Sequence, residues 1–326
     1  MLRLGIIGTS WISHEFINAA HQTGHYRLQA VYSRKMKTAR DFCEPYEEIS
    51  CYTDLVDFLD SELDVVYIAS PNSLHYAQAK LAILAKKHVI IEKPAVTTPS
   101  EWKELVKLAK DHHVYLFEAA RNYHEAAFQV VKDFLSNQEI LGANFTFAKY
   151  SSKLPALLSG EMPNIFSDVY AGGALMDLGV YCLYLAIGFF GEPVSSRYTA
   201  QQLPNSVDLY GQGVLIYPEF QVAIQAGKNI TSHLPAEIYT KTGTLTLNAV
   251  AAIDQAQFVT HSGEVCNLPI EPCSHVMQEE AQAFALAIAG QKETAYLEWI
   301  KTAEQVHETL YQMRQSAGIQ FKDKKE

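Results

Sequence analysis

The sequence predicts an α/β chain: an N-terminal doubly wound parallel sheet, then an α+β domain built on a mostly antiparallel sheet. Three observations carry this. Strand-like and helix-like segments alternate over residues 1–120, the pattern of a parallel sheet covered on both faces. After Arg121 the alternation gives way to short period-two segments separated by turn residues. With 48% hydrophobic and 19% charged residues, the 326-residue chain can bury the core of one large or two ordinary domains.

Taken in order, Leu4 to Ile7 is a short buried strand and Trp11 to His21 a helix. Leu28 to Tyr32 is a strand, Lys37 to Cys43 a helix, and Leu55 to Leu59 a helical turn. Val65 to Ala69 is a strand, and His75 to Lys86 a helix rich in Ala, Leu and Lys. Val89 to Ile91 is a strand, Ser100 to Asp111 a helix that follows Pro99, and Val114 to Phe117 a strand. Beyond it, His124 to Ser136 reads as a helix. Strands follow at Asn144 to Lys149, Gly213 to Tyr217, Gln221 to Gln225, Glu237 to Lys241, Thr244 to Leu247 and Gln257 to Thr260. Tyr217-Pro218-Glu219-Phe220, Thr242-Gly243 and Ser262-Gly263 read as hairpin turns. Helices at Met277 to Ala289 and Tyr296 to Gln315 end the chain. The expected domains are 1–120 and 121–326.

The net charge of −10, with no basic stripe, argues against nucleic acid or an acidic membrane as partner. The tail Lys322-Asp323-Lys324-Lys325-Glu326 is short, mixed in sign and reads as a solvated end. No stretch approaches the 18 or so apolar residues of a membrane span, and Met1 to Ile7 reads as a first strand, not a leader. The five cysteines, Cys43, Cys51, Cys182, Cys266 and Cys273, form no Cys-x-x-Cys pair. Neither a disulfide framework nor a metal site is expected, and a reducing cytoplasm is the simplest location.

Glu92-Lys93-Pro94 closes the apolar run His88-Val89-Ile90-Ile91. Lysine is almost never fully buried without a partner, but at the carboxyl end of a strand in an open α/β sheet it projects into the ligand crevice. The alternative is an ordinary surface lysine. The stretch Gly172-Gly173-Ala174-Leu175-Met176-Asp177-Leu178-Gly179-Val180-Tyr181 pairs two glycines with an acid and a phenol. If a helix begins after Gly173, Asp177 and Tyr181 share a face at i, i+4, which suits proton transfer and hydroxyl recognition. Otherwise it is a helix start with a stray acid and a core tyrosine.

Between the first strand and first helix lies Gly8-Thr9-Ser10-Trp11-Ile12-Ser13, where a dinucleotide fingerprint belongs. Ser10 and Ser13 replace its second glycine and its packing Gly or Ala, but the helix N-terminus can still donate amides to a pyrophosphate. After the second strand come Ser33-Arg34 in place of the acid that binds an NAD ribose, which favours the 2′-phosphate of NADP over NAD. The Val65 to Ala69 strand leads into Ser70-Pro71-Asn72-Ser73-Leu74-His75, polar groups placed to contact ribose or nicotinamide.

Together these motifs resemble the glucose-fructose oxidoreductase, inositol dehydrogenase and rhizopine catabolism (Gfo/Idh/MocA) superfamily, over essentially the whole chain. The resemblance implies an N-terminal Rossmann domain and a C-terminal domain whose large open sheet packs against another subunit, as a homodimer or homotetramer. It also implies NAD(P)-dependent oxidation or reduction of a small sugar, polyol or diol. Lys93 matches the active-site lysine, Asp177 the motif aspartate, and Tyr181 the catalytic His or Tyr, as in the dihydrodiol dehydrogenase and glucose-fructose oxidoreductase branch. Gly8, Thr9, Ser10, Trp11, Ile12, Ser33, Arg34, Ser70, Pro71, Asn72, His75, Glu92, Lys93 and Pro94 are expected at the cofactor. Lys93, Arg121, Asn122, Asp177 and Tyr181 are expected at the substrate, with His124 nearby. Before the glycine pair, Pro163 to Tyr170 lacks a tryptophan common in sugar-binding members, which leaves the substrate open. A nicotinamide-dependent glycosidase and a non-catalytic NADP-binding regulator are the alternatives.

Overall fold

The computed structural model describes residues 1–322. Of the mixed-charge tail only Lys322 falls within them, and it is ion-paired to Asp168 at 2.8 Å; the rest of that tail lies outside the described residues. The chain divides into two compact units, Met1–Ala119 with Cys273–Lys301, and Ala120–Pro272 with the chain from Thr302 onward. The sequence reading ran the second domain unbroken from 121 to 326, whereas the structure places Cys273–Lys301 in the first unit.

The first unit is a six-stranded sheet of β1 (Leu2–Ile7), β2 (Tyr26–Tyr32), β3 (Ser50–Tyr52), β4 (Val65–Ile68), β5 (His88–Glu92) and β6 (Leu116–Ala119). Its order is β3-β2-β1-β4-β5-β6 and every pairing is parallel. That order reverses at β1 and β4, the switch point where such sheets take nucleotides at their carboxyl ends. Between strands run α1 (Trp11–Gln22), α2 (Met36–Cys43), α3 (Leu55–Asp60), α4 (Asn72–Leu84) and α5 (Pro99–Asp111). The start of α5 is specified locally. Thr98 and Glu101 form a reciprocal capping box, with Pro99 in the first turn. β4 and β6 are buried at every position, as a sheet covered on both faces requires. The helix Gln278–Ile288 completes this core: Tyr26 donates its hydroxyl to the Ala281 carbonyl at 2.7 Å, and Phe284 stacks on Phe117 at 4.5 Å.

The second unit opens with a short α6 (Arg121–His124) and with α7 (Ala126–Leu135), the helix expected from His124 to Ser136. It continues through β7 (Ile140–Ala148), α8 (Leu154–Leu158) and α9 (Val180–Phe190). Then come β8 (Ser195–Gln202), β9 (Asp208–Ile216), β10 (Gln221–Gly227), β11 (Ala236–Thr240), β12 (Gly243–Leu247), β13 (Ala256–Thr260) and β14 (Val265–Asn267). The sheet order is β14-β13-β12-β11-β7-β10-β9-β8. Only β7 and β10 pair in parallel; the other pairings are antiparallel. In β10, Val222, Ile224 and Ala226 are buried while Gln221 and Ala223 are exposed, the alternation of a sheet with one covered face. Gln278–Ile288 is α10. The last helix, α11 (Glu293–Ala317), runs across the division between units at Lys301.

Candidate active site

In the first unit the cofactor motifs sit on the carboxyl ends of β1, β2, β4 and β5. Gly8 has φ +108°, and a Cβ there would lie 2.4 Å from the Ala69 carbonyl oxygen. Glycine is thus required for the loop after β1 to pass the end of β4. Ser13, fully buried, donates its hydroxyl to the Gly8 carbonyl at 2.7 Å. The serine that departs from the fingerprint is therefore satisfied within the loop and leaves the N-terminus of α1 intact for an anion. Ser10 caps α1 in extended conformation without using its side chain, and Trp11 is 72% exposed. Ile12 packs its side chain on the core, so only its backbone is placed for a cofactor. Arg34 is exposed just past β2, and Ser33 donates its amide to Tyr52 at 3.1 Å. This loop fits a dinucleotide: a tight glycine turn, uncapped helix amides and a basic residue beyond β2.

Beyond β4 and β5 the motif residues brace one another. His75 is 1% exposed, with Nδ1 3.0 Å from the Pro94 carbonyl and Nε2 2.7 Å from the Ser70 carbonyl. Burial, the largest influence, pushes it below its ordinary value against the effect of both carbonyls. A neutral ring donates to one carbonyl at a time. Glu92 is buried and accepts the Tyr67 hydroxyl at 2.5 Å. Glu118 accepts the Ala95 amide at 2.9 Å. His75 thus ties the loop after β4 to the loop after β5, Glu92 ties the end of β5 to β4, and Pro94 is buried with them. Lys93, between them, is partly exposed. Ser70 donates to Gln78 at 2.6 Å, and Pro71 and Asn72 open α4.

In the second unit the glycine pair is dictated by close approach. A Cβ on Gly172 would lie 2.3 Å from the Ile165 carbonyl oxygen. One on Gly173, at φ +127°, would lie 2.1 Å from Asp208 Oδ1. Asp208 is fully buried and accepts the Leu175 amide at 2.7 Å and the Tyr198 hydroxyl at 2.9 Å. Burial raises its pKa above the usual carboxylate range. The chain then makes a π-helical turn, Leu175–Gly179, before α9; such wide turns often mark functional sites. The helix expected after Gly173 forms without a break, and only its first turn is widened: Asp177 lies in the π-helical turn and Tyr181 in the first turn of α9.

Asp177 is ion-paired to Lys228, which follows β10. Lys228 was not among the expected site residues because the strand was expected to end at Gln225; β10 runs on to Gly227 and brings the lysine to its end. The Tyr181 ring stands edge-to-face with Phe147 at 5.4 Å, with the Arg121 guanidinium 5.9 Å from its centroid. Arg121 Nε is buried without a hydrogen-bond partner among the described residues. Asn122 is fully buried; its amide donates to the Tyr181 and Val250 carbonyls, both at 3.1 Å, and its Oδ1 has no hydrogen-bond partner among the described residues. His124 stands edge-to-face with Tyr123 at 5.3 Å.

A sheet with the order and loops that take nucleotides, followed by a second unit carrying an acid and a phenol on successive helical turns, fits the dinucleotide-dependent oxidoreductase class. Residues 2–120 match the family model described as "Oxidoreductase family, NAD-binding Rossmann fold", and 139–246 match "GFO/IDH/MocA C-terminal domain". The chain belongs to the Gfo/Idh/MocA oxidoreductase family. It is 35% identical to the uncharacterized oxidoreductase YgjR of Escherichia coli K12, over 88% of each chain. It is 32% identical to the NADP(+)-dependent scyllo-inositol 2-dehydrogenase IolU of Bacillus subtilis 168, over 96% of this chain and 97% of that one. KijD10, a 3-ketoreductase from Actinomadura kijaniata crystallised with NADP and TDP-benzene, shares the fold at 22% identity with a TM-score of 0.84, covering 97% of this chain and 98% of that one.

Proposed function

We propose that this chain is an NADP-dependent oxidoreductase that moves a hydride between nicotinamide and a carbinol or carbonyl carbon of a polyol, sugar or diol. The observation that carries this reading is one helical stretch of the second unit that carries Asp177 and Tyr181, each beside a cation, Lys228 and Arg121 respectively. Nicotinamide, when bound, supplies or accepts the hydride. Tyr181 gives or takes the proton at the substrate oxygen. A free phenol titrates near pH ~10, too high for an effective base at neutral pH, and nearby cations favour the phenolate. Arg121 is one such cation. Asp177 accepts a hydrogen bond from a neighbouring hydroxyl and orients the substrate. Gly8 to Ile12 and the start of α1 hold the pyrophosphate, Ser70 to Asn72 line the ribose and nicotinamide, and Arg34 holds the 2′-phosphate.

The relatives' names support both halves of this reading. IolU is named for NADP(+) and scyllo-inositol, and further relatives are named trans-1,2-dihydrobenzene-1,2-diol dehydrogenases; each name describes a ring bearing vicinal hydroxyls. The same reading makes the chain a homo-oligomer through the outer face of the eight-stranded sheet. A groove of about 650 Å³ runs there between Leu141, Val214, Phe220 and Tyr239, and Leu141 is 55% exposed. The five cysteines without a pairing motif fit a cytoplasmic location. The test is fluorescence titration with NADPH and NADH, followed by a screen of inositols, other polyols, aldoses and diols with the tighter cofactor. The expected result is preferential NADPH binding and turnover of a polyol or diol; turnover of none would refute the reading.

A further inference from the structure

Lys228 follows the last residue of β10 and is 6% exposed. Its backbone is pinned on both sides: its amide donates to the Leu209 carbonyl at 2.7 Å, and its carbonyl accepts the Ser151 amide at 2.8 Å. The side chain therefore starts from a fixed point at the end of the central strand pair. Its ammonium is bonded to Asp177 Oδ2. The pair is asymmetric. Only 7% of the lysine side chain is exposed, against 25% of the aspartate side chain. The lysine is the anchor, and the aspartate keeps an accessible surface.

Stability alone is a weak reason for such a pair. Desolvating two charges consumes most or all of their attraction, and apolar replacements of similar volume are often as stable. An ammonium bonded to a carboxylate does favour one form of it, the ionised acceptor. It also removes the carboxylate's freedom to rotate. On the π-helical turn, four residues from Tyr181, an aspartate held this way can accept a hydrogen bond but cannot donate one. It therefore selects a donor, a substrate hydroxyl, over a carbonyl or an anionic group at that position.

We propose that Lys228 is a positioning residue: it fixes Asp177 as an ionised, oriented acceptor for a hydroxyl of the substrate beside the reacting carbon. This rests on the reading of the chain as a polyol or diol oxidoreductase. A misplaced orienting group can cost about 100-fold. Lys228→Met should therefore lower kcat/KM for the best polyol or diol about 100-fold, mostly through KM, while the Kd for NADPH measured by fluorescence stays the same.

The test is a double-mutant cycle of Lys228→Met and Asp177→Asn, with Lys228→Arg added and folding checked by thermal denaturation. In the Asp177→Asn background, Lys228→Met should change kcat/KM by no more than about twofold, because residues acting as a unit are non-additive. Recovery of activity in Lys228→Arg would support a role for the charge. A folded Lys228→Met with wild-type kcat/KM would overturn the proposal, as would an equal loss in the Asp177→Asn background. If Lys228→Met does not fold, Lys228→Gln takes its place in the cycle and is read in the same way. Wild-type protein that turns over no polyol or diol overturns the proposed function and this proposal with it. Wild-type turnover with an unaffected variant overturns this proposal alone.

Discussion

In the proposed mechanism Tyr181 moves the proton and Lys93 supplies a charge, and removing each should leave a different trace. Tyr181→Phe removes only the hydroxyl and keeps the ring against Phe147 and Arg121. Binding of NADPH and substrate should survive, and kcat should fall about 10²–10⁴-fold, the usual contribution of general acid–base catalysis. Lys93→Met should lower kcat by about 100-fold or more without lowering Tm, since losing one preorganised charge at a reacting centre has that effect. Near-normal kcat in either folded variant would remove that residue from the mechanism. Arg34→Ala should weaken NADPH by about 1.5–3 kcal/mol, the worth of a hydrogen bond to a charged group, and leave NADH unchanged; equal losses would mean that Arg34 does not read the 2′-phosphate. At this scale the sequence was legible where a residue type looked out of place, as Lys93 did at the end of a strand. The bracing bonds of His75, Glu92 and Asn122, to the Pro94 carbonyl, the Tyr67 hydroxyl and the Tyr181 carbonyl, join residues 19 to 59 apart in the chain and leave no local mark.

The element that organises the second half of the site is the glycine pair followed by the π-helical turn. Sequence pattern pointed to the glycines and to Asp177 but not to the wide turn. Asp208, which dictates the turn by accepting the Leu175 amide, lies 33 residues further along the chain. Gly173→Ala would put a Cβ against Asp208 at a positive φ. It should destabilise the protein by about 1–3 kcal/mol, the scale of a strained backbone position; a denaturant midpoint equal to wild type would show that the turn relaxes freely. Asp208 also gives this element a pH signature. Its folded-state pKa is raised by burial. Its contribution to stability is therefore complete below the ordinary aspartate range and is lost as pH rises through the raised value. Asp208→Asn should abolish that loss, so its Tm should gain on wild type as pH increases. Parallel Tm–pH curves would contradict this account of the buried carboxyl.

At the scale of the molecule, strand–helix alternation made the parallel sheet readable, and the hairpin turns made the second sheet readable. Two strands of the second sheet escaped notice for physical reasons. β8 (SSRYTAQQ) is mostly polar and buries only Ser196 and Tyr198, while β14 is three exposed residues long. β3, also three residues, was missed in the first sheet. The return of Cys273–Lys301 to the first unit rests on contacts such as Tyr26 to Ala281, 255 residues apart, which no local pattern encodes. Family membership and the two units together support one central claim: a hydride passes directly between a carbinol carbon and nicotinamide. The most direct measurement uses an inositol or diol deuterated at the reacting carbon, incubated with NADP+ and the wild-type protein, with the NADPH formed analysed by NMR. The account predicts one deuterium per NADPH, at nicotinamide C4. A substrate that is consumed with no deuterated NADPH accumulating would contradict the account.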